Sequence, residues 1–153
     1  MSTAHTPITV SNLTRTYAGA KKKKAFTAVG GISFHVTEGE VYGLLGTNGA
    51  GKTSTLEVLE GLALATSGSV SVLGMDPTKD RAKVRAHTGT MLQSGGLPTQ
   101  LTVAETIRMW AGTCSRPMPP EQALDAVDLT HRAKVKVGSL SGGEQRRLDL
   151  ACA

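Results

Sequence analysis

A chain of 153 residues, 39% hydrophobic and 19% charged, is about one domain long and buries roughly 70% of its unfolded surface, which excludes a disordered segment. No apolar run approaches the roughly 18 residues of a membrane span, and the polar start, Met1 to Pro7, has no leader-like core, so the default expectation is a cytoplasmic protein. A net charge of +5 admits an anionic partner, but aromatic residues at 3% leave little for base stacking, and nucleic acid is not expected.

In chain order, residues 1–7 read as frayed, 8–10 begin a strand, and 13–17 continue it. The basic run Lys21-Lys22-Lys23-Lys24 follows, and it fits either a solvated loop or a charged patch. Residues 26–29 and 32–36 alternate as strands do, and Glu38-Gly39-Glu40 is a turn. Residues 41–45 then form a short apolar run, read as a buried strand.

That run enters Gly46-Thr47-Asn48-Gly49-Ala50-Gly51-Lys52-Thr53, which fits G-x-x-x-x-G-K-[ST] at every defined position. Residues 54–60 read as a helix stopped at Gly61. The glycines let backbone N–H groups turn inward around an anion, and the helix start adds its free N–H groups and the positive end of its dipole. Lys52 reaches the β- and γ-phosphates as a point charge, and the Thr53 hydroxyl suits Mg²⁺. The alternative is a glycine-rich turn that only happens to precede a helix; the strand–loop–helix setting argues for a nucleotide phosphate site.

Further on, residues 69–73 alternate as a strand, 78–87 form a short charged helix, and 88–92 form a strand delivering Gln93. Ser94-Gly95-Gly96-Leu97-Pro98 cannot continue that strand. Thr102-Val103-Ala104-Glu105 is a capping box ahead of a helix to about residue 113. Pro119 and Pro120 open a second helix over 121–127. In Leu140-Ser141-Gly142-Gly143-Glu144, Ser141 and Glu144 make another capping box, ahead of a helix over 145–153. Cys114 and Cys152 lack C-x-x-C spacing and read as free thiols, and the four histidines are too scattered for a metal site.

The phosphate loop, Gln93 and Leu140-Ser141-Gly142-Gly143-Glu144, in that order, resemble the nucleotide-binding domain of ABC transporters. In that family Leu-Ser-Gly-Gly-x is the signature and the glutamine heads the Q-loop. The likeness runs from Ile8 onward, and segments 40–46 and 59–62 look most like the drug- and antibiotic-exporting branch, whose ATPase is a separate polypeptide. The resemblance implies an α/β fold: a partial P-loop core with an antiparallel β subdomain over about residues 1–100, and a helical signature subdomain over about 101–153.

It also implies ATP and Mg²⁺, held by Gly46, Asn48, Gly49, Ala50, Gly51, Lys52, Thr53 and Ser54, with Thr53 and Gln93 at the metal and Lys52 and Gln93 in catalytic roles. Ser141, Gly142, Gly143 and Glu144 then close over the γ-phosphate held by a second subunit, in a head-to-tail dimer. Gln93 fits either this role or an ordinary surface glutamine. Tyr17 stands where an adenine-stacking aromatic belongs; a strand tyrosine packing on its neighbours fits as well, because the lysine run blurs the register. Thr47 replaces a frequent proline at a position with no essential side chain. The implied partners are that second ATP-binding subunit and a separate transmembrane permease, on the inner face of the membrane.

The family pattern goes on past the signature helix to an apolar strand ending in Asp-Glu and to a later histidine. No apolar run ending in Asp-Glu occurs between Thr53 and Ala153. The expectation is the first part of one ATPase domain, binding ATP without efficient hydrolysis, with strand 41–45 short of neighbours. The alternatives are a non-hydrolysing nucleotide-binding fragment and a soluble ABC ATPase with no membrane partner. The last would carry a coiled-coil insertion or a tandem copy, and neither occurs in this sequence.

Overall fold

Strict alternation along the first strand would set Asn12, not Leu13, on the same face as Val10. The computed structural model, which describes residues 5–19, 24–92 and 96–153, resolves this with a bulge. Strand β1 (Ile8–Tyr17) pairs antiparallel with β2 (Phe26–Val36) and with β3 (Ser67–Val72), in the order β2-β1-β3. Its register to β2 slips between Val10 and Leu13, where Asn12 takes φ 47°, a left-handed conformation that asparagine tolerates. The Asn12 N–H donates to Ser33 Oγ at 2.8 Å. The slip puts Val10 and Leu13 together in a core with Val29 of β2 and Val58. The strand expected to begin at 8–10 and continue over 13–17 is thus one bulged strand, and the segments expected over 26–29 and 32–36 join as β2.

The described residues fall into two compact units, divided between Arg85 and Ala86. The first also holds helix α1 (Lys52–Leu59), which packs Thr55 and Val58 inward, and the short helix α2 (Arg81–Arg85). Helix α1 stops where expected. Gly61 takes φ 67°, its N–H reaches Val58 O at 3.1 Å, and the Leu62 N–H reaches Glu57 O at 2.8 Å, a Schellman end.

Three expectations are corrected in this structure. Residues 41–45 form no strand: the sheet's three strands lie elsewhere, and Val41 and Leu45 are 98% and 92% exposed. An extended run becomes a strand only when neighbours take up its N–H and C=O groups. Residues 88–92 likewise form no strand. The helix expected over 78–87 shrinks to α2, because Asp76 holds the preceding chain in a turn: its Oδ1 accepts from Thr78 N and Thr78 Oγ1 at 2.9 and 2.6 Å.

The second unit is helical, with α3 (Val103–Ala111), α4 (Pro120–Ala126), 3₁₀ turns at Thr130–Arg132 and Val137–Ser139, and α5 (Gly142–Cys152). Thr102 caps α3 as its sequence implies: its Oγ1 accepts from the Glu105 N–H at 3.3 Å, and the Thr102 N–H donates to Glu105 Oε2 at 2.7 Å. Pro120 occupies the first turn of α4, where the missing N–H costs nothing. Val103, Ile107, Leu124, Leu129, Val137 and Leu148 meet in the core. No helix among the described residues is long and apolar enough to cross a membrane.

Burial separates the apolar positions sharply. Leu13→Ala, at a fully enclosed site, is expected to cost about 2–5 kcal/mol in urea unfolding. Val41→Ser with Leu45→Ser is expected to stay within about 0.5 kcal/mol of the parent while reducing binding of an apolar-surface dye. Equal losses from both would contradict this assignment of core and surface.

Candidate nucleotide-binding site

Helix α1 begins without a side-chain cap. Its N-cap is Gly51, which offers no side-chain acceptor, and no acidic residue lies in its first turn. The first intrahelical bond is Thr55 N–H to Gly51 O at 2.9 Å, so the N–H groups of Lys52, Thr53 and Ser54 have no acceptor within the helix. Gly51 sits at φ 84° with its α-carbon against β2, where a Cβ would overlap the Ala28 carbonyl oxygen. Only glycine fits both the left-handed backbone and that approach.

The loop before the helix curls tightly. The Ala50 N–H donates to Thr47 O at 3.2 Å, and Lys52 Nζ bridges back to Gly46 O and Thr47 O, each at 2.7 Å. An ammonium has three N–H donors, so this clasp leaves one for an outside acceptor. Asn48, Gly49 and Ala50 are exposed on the curl, as is Thr53 on the first turn of α1. A threonine hydroxyl beside uncapped N–H groups and a lysine suits a phosphate-bound hard cation, and hence Mg²⁺.

Tyr17, at the end of β1, is tied to the same helix. Its hydroxyl hydrogen-bonds Ser54 Oγ at 2.9 Å and donates to Glu57 Oε2 at 3.3 Å. The Arg15 guanidinium lies over its ring, 4.7 Å from the centroid. The structure therefore brings Tyr17 to Ser54, two residues beyond Lys52. Neither Arg15 nor Glu57 was singled out in the sequence; no local pattern links Glu57 to a tyrosine 40 residues away.

Helix α5 begins in the opposite way. Ser141 caps it, with Oγ accepting from the Glu144 N–H at 3.3 Å, while Glu144 Oε2 accepts from the Ser141 N–H at 2.8 Å. Glu144 Oε1 accepts from Arg132 Nε at 2.7 Å. The Ser141 N–H and the Arg132 guanidinium hold the Glu144 carboxyl down at about 2. Gln145 Nε2 braces the turn further by donating to Leu140 O at 3.2 Å. Ser141, Gly142 and Gly143 are exposed, and a Cβ on either glycine would meet nothing within 4 Å, so the turn is open to an approaching ligand. Glu144 is buried beneath it and acts as a cap. Arg132, which sequence reasoning missed, is linked to Glu144 across the second 3₁₀ turn by no short motif.

Gln93 and Lys21 to Lys23 lie outside the described residues. A cavity of about 430 Å³ opens between α3, α4 and α5, lined by Trp110, Met118 and Leu150 among others. Arg116 is its one charged lining residue and none of Ser141 to Gly143 borders it, so it does not suit a triphosphate. Cys114 and Cys152, both on that cavity, are free thiols, and burial pushes the Cys152 thiol up to about 11.

Residues 29–153 match the family described as ABC transporter, which spans both the loop and the capped turn. The chain belongs to the ABC transporter family. It is 41% identical over 144 residues to Nod factor export ATP-binding protein I of Paraburkholderia xenovorans (strain LB400), covering 87% of this chain and 46% of that protein. It is 37% identical over 141 residues to the linearmycin resistance ATP-binding protein LnrL of Bacillus subtilis (strain 168), covering 86% and 45%. The ABC chain thus spans about half the length of these curated relatives.

Among solved structures, its fold resembles cbiO1 from Clostridium perfringens, described as part of the ABC transporter complex cbiONQ, with a TM-score of 0.79 at 22% identity over 96% of this chain and 60% of that one. The dimeric structure of MJ0796, a bacterial ABC transporter cassette, gives 0.72 at 24% identity over 95% and 68%. At such identities the likeness is one of fold, and it agrees with the α/β class expected. Gly46 to Thr53 and Leu140 to Glu144 both lie within the residues that match the family.

The cap on α5 makes its stability pH-dependent. Glu144 titrates lower folded than unfolded, so its contribution is complete above its ordinary value of 4.5 and is lost as pH falls toward 2. Melting curves between pH 6 and pH 2 should show this loss in the parent and a shallower slope in Glu144→Gln. Parallel pH profiles would contradict the cap.

Proposed function

We propose that this chain is the nucleotide-binding part of the ATP-binding subunit of an ABC exporter, coupling ATP binding and hydrolysis to export through a separate membrane protein. The observation that carries the reading is the start of α1: three helix-end N–H groups without an acceptor in the helix, a curled loop, and Lys52 clasped across it. That arrangement binds an anion, and its residues are those of a nucleoside-triphosphate loop. The relatives named for Nod factor export and linearmycin resistance support an exporter.

In this reading Gly49, Ala50, Gly51 and the first N–H groups of α1 cradle the phosphates, with Asn48 and Gly46 shaping the curl and Ser54 lining it. Lys52 gives its remaining N–H to a γ-phosphate oxygen, neutralising charge that grows as the terminal phosphoryl leaves. Thr53, with Gln93, holds Mg²⁺, which when bound screens the β- and γ-oxygens. Tyr17 offers the ring face away from Arg15 to adenine. The signature of a second subunit, led by Ser141, Gly142 and Gly143, covers the γ-phosphate, so that ATP holds a head-to-tail dimer together; the dimeric fold neighbour supports that arrangement. The residues fall into a P-loop part, to about 100, and a signature part beyond it, bound to a permease at the inner face of the membrane.

A further reading concerns turnover. Between Thr53 and Ala153 no apolar run ends in Asp-Glu, so these residues offer no evident base for the attacking water. The 153 residues bind ATP, in this reading, without efficient hydrolysis.

Isothermal titration with Mg-ATP tests the P-loop assignment. Lys52→Ala should lose affinity by about 1.5–3 kcal/mol, the scale of one charge-assisted bond. Unchanged affinity would remove the reading.

A further inference from the structure

The signature turn carries a carboxylate in its own first helical turn. Both Glu144 oxygens are engaged, Oε2 by the Ser141 N–H at 2.8 Å and Oε1 by Arg132 Nε at 2.7 Å. The other capping box shows that a cation is not a general requirement of this motif. Glu105 caps α3 through Thr102 with no ion pair within 4 Å among the described residues, Arg108 and Lys136 acting on it only without direct contact. Arg132 is therefore particular to the helix start that faces a ligand. A carboxylate within one turn of a bound triphosphate repels it, and a guanidinium held against that carboxylate cancels the repulsion.

We propose that Arg132 is a positioning residue for nucleotide recognition by the signature: it neutralises Glu144 and locks its carboxylate as the cap, so that the Ser141-Gly142-Gly143 turn presents donors to phosphate without opposing charge. The Ser141 oxygen accepts from the Glu144 N–H, which leaves its own proton to donate outward. The inference rests on the reading of the signature as a phosphate site. It adds a requirement that the motif itself does not contain.

The test is Mg-ATP-driven self-association of the full chain, followed by sedimentation, for the parent, Arg132→Met and Arg132→Met with Glu144→Gln. The single variant should associate at least about tenfold more weakly, and the double variant should recover to within about threefold of the parent, because glutamine keeps the cap and drops the charge. Association of Arg132→Met equal to the parent would overturn the proposal and leave the signature reading standing. A double variant as weak as the single would also overturn it, by making Arg132 a brace of the turn alone. A parent that binds Mg-ATP without associating would remove the signature reading and the proposal with it. A readout that needs no association is the carboxyl carbon resonance of Glu144, which should titrate nearer its ordinary range in Arg132→Met; an unmoved titration would again overturn the proposal.

Discussion

Gly51 can lie against the Ala28 carbonyl only because it has no side chain, and the start of α1 depends on that contact. A residue with a side chain there would be strained twice, by its left-handed backbone and by the overlap with β2. Glycine at the N-cap also means that no serine, threonine or aspartate closes the helix. The N–H groups of Lys52, Thr53 and Ser54 therefore have no side-chain cap and no acceptor within the helix. The loop curl, the Lys52 clasp and the tether from Tyr17 to Ser54 all gather at this one end.

The two functional helix starts solve the same physical problem in opposite ways. In α1 the first N–H groups are left uncapped, because the N-cap is a glycine, and in the proposed reading a ligand takes them. In α5 a capping box satisfies two such groups internally and leaves the neighbouring glycines and one hydroxyl exposed. Here the cap is a carboxylate, and Arg132 donates to its second oxygen. The thermodynamic contribution of a half-exposed arginine pair is small by itself, about 0–1 kcal/mol, so its place beside the signature is better understood through charge than through stability.

Short-range patterns were legible in the sequence, and long-range partners were not. The curled loop before α1, both capping boxes, the stop at Gly61 and the proline entry to α4 rest on residues within about two helical turns of each other, where local hydrogen bonds decide the conformation. The bulge at Asn12 was missed because it depends on pairing with β2 and β3 together. Residues 41–45 have strand-like composition, yet composition cannot supply neighbours, and in this structure the run lies exposed except for the half-buried Leu44, although Tyr42 stacks on Phe34 at 4.9 Å. Arg132 and Glu144, or Tyr17 and Glu57, are joined only by the fold, and no periodicity announces such pairs.

The central claim is that the uncapped N–H groups at the start of α1 receive the phosphates of a nucleotide. Its most direct test is a titration of the ¹⁵N-labelled chain with Mg-ATP, followed through the backbone amide resonances of Gly49, Ala50, Gly51, Lys52, Thr53 and Ser54. The account predicts saturable shifts concentrated on these amides, the largest where N–H groups lack an acceptor in the helix. Shifts absent from this loop, or centred on another part of the chain, would contradict it.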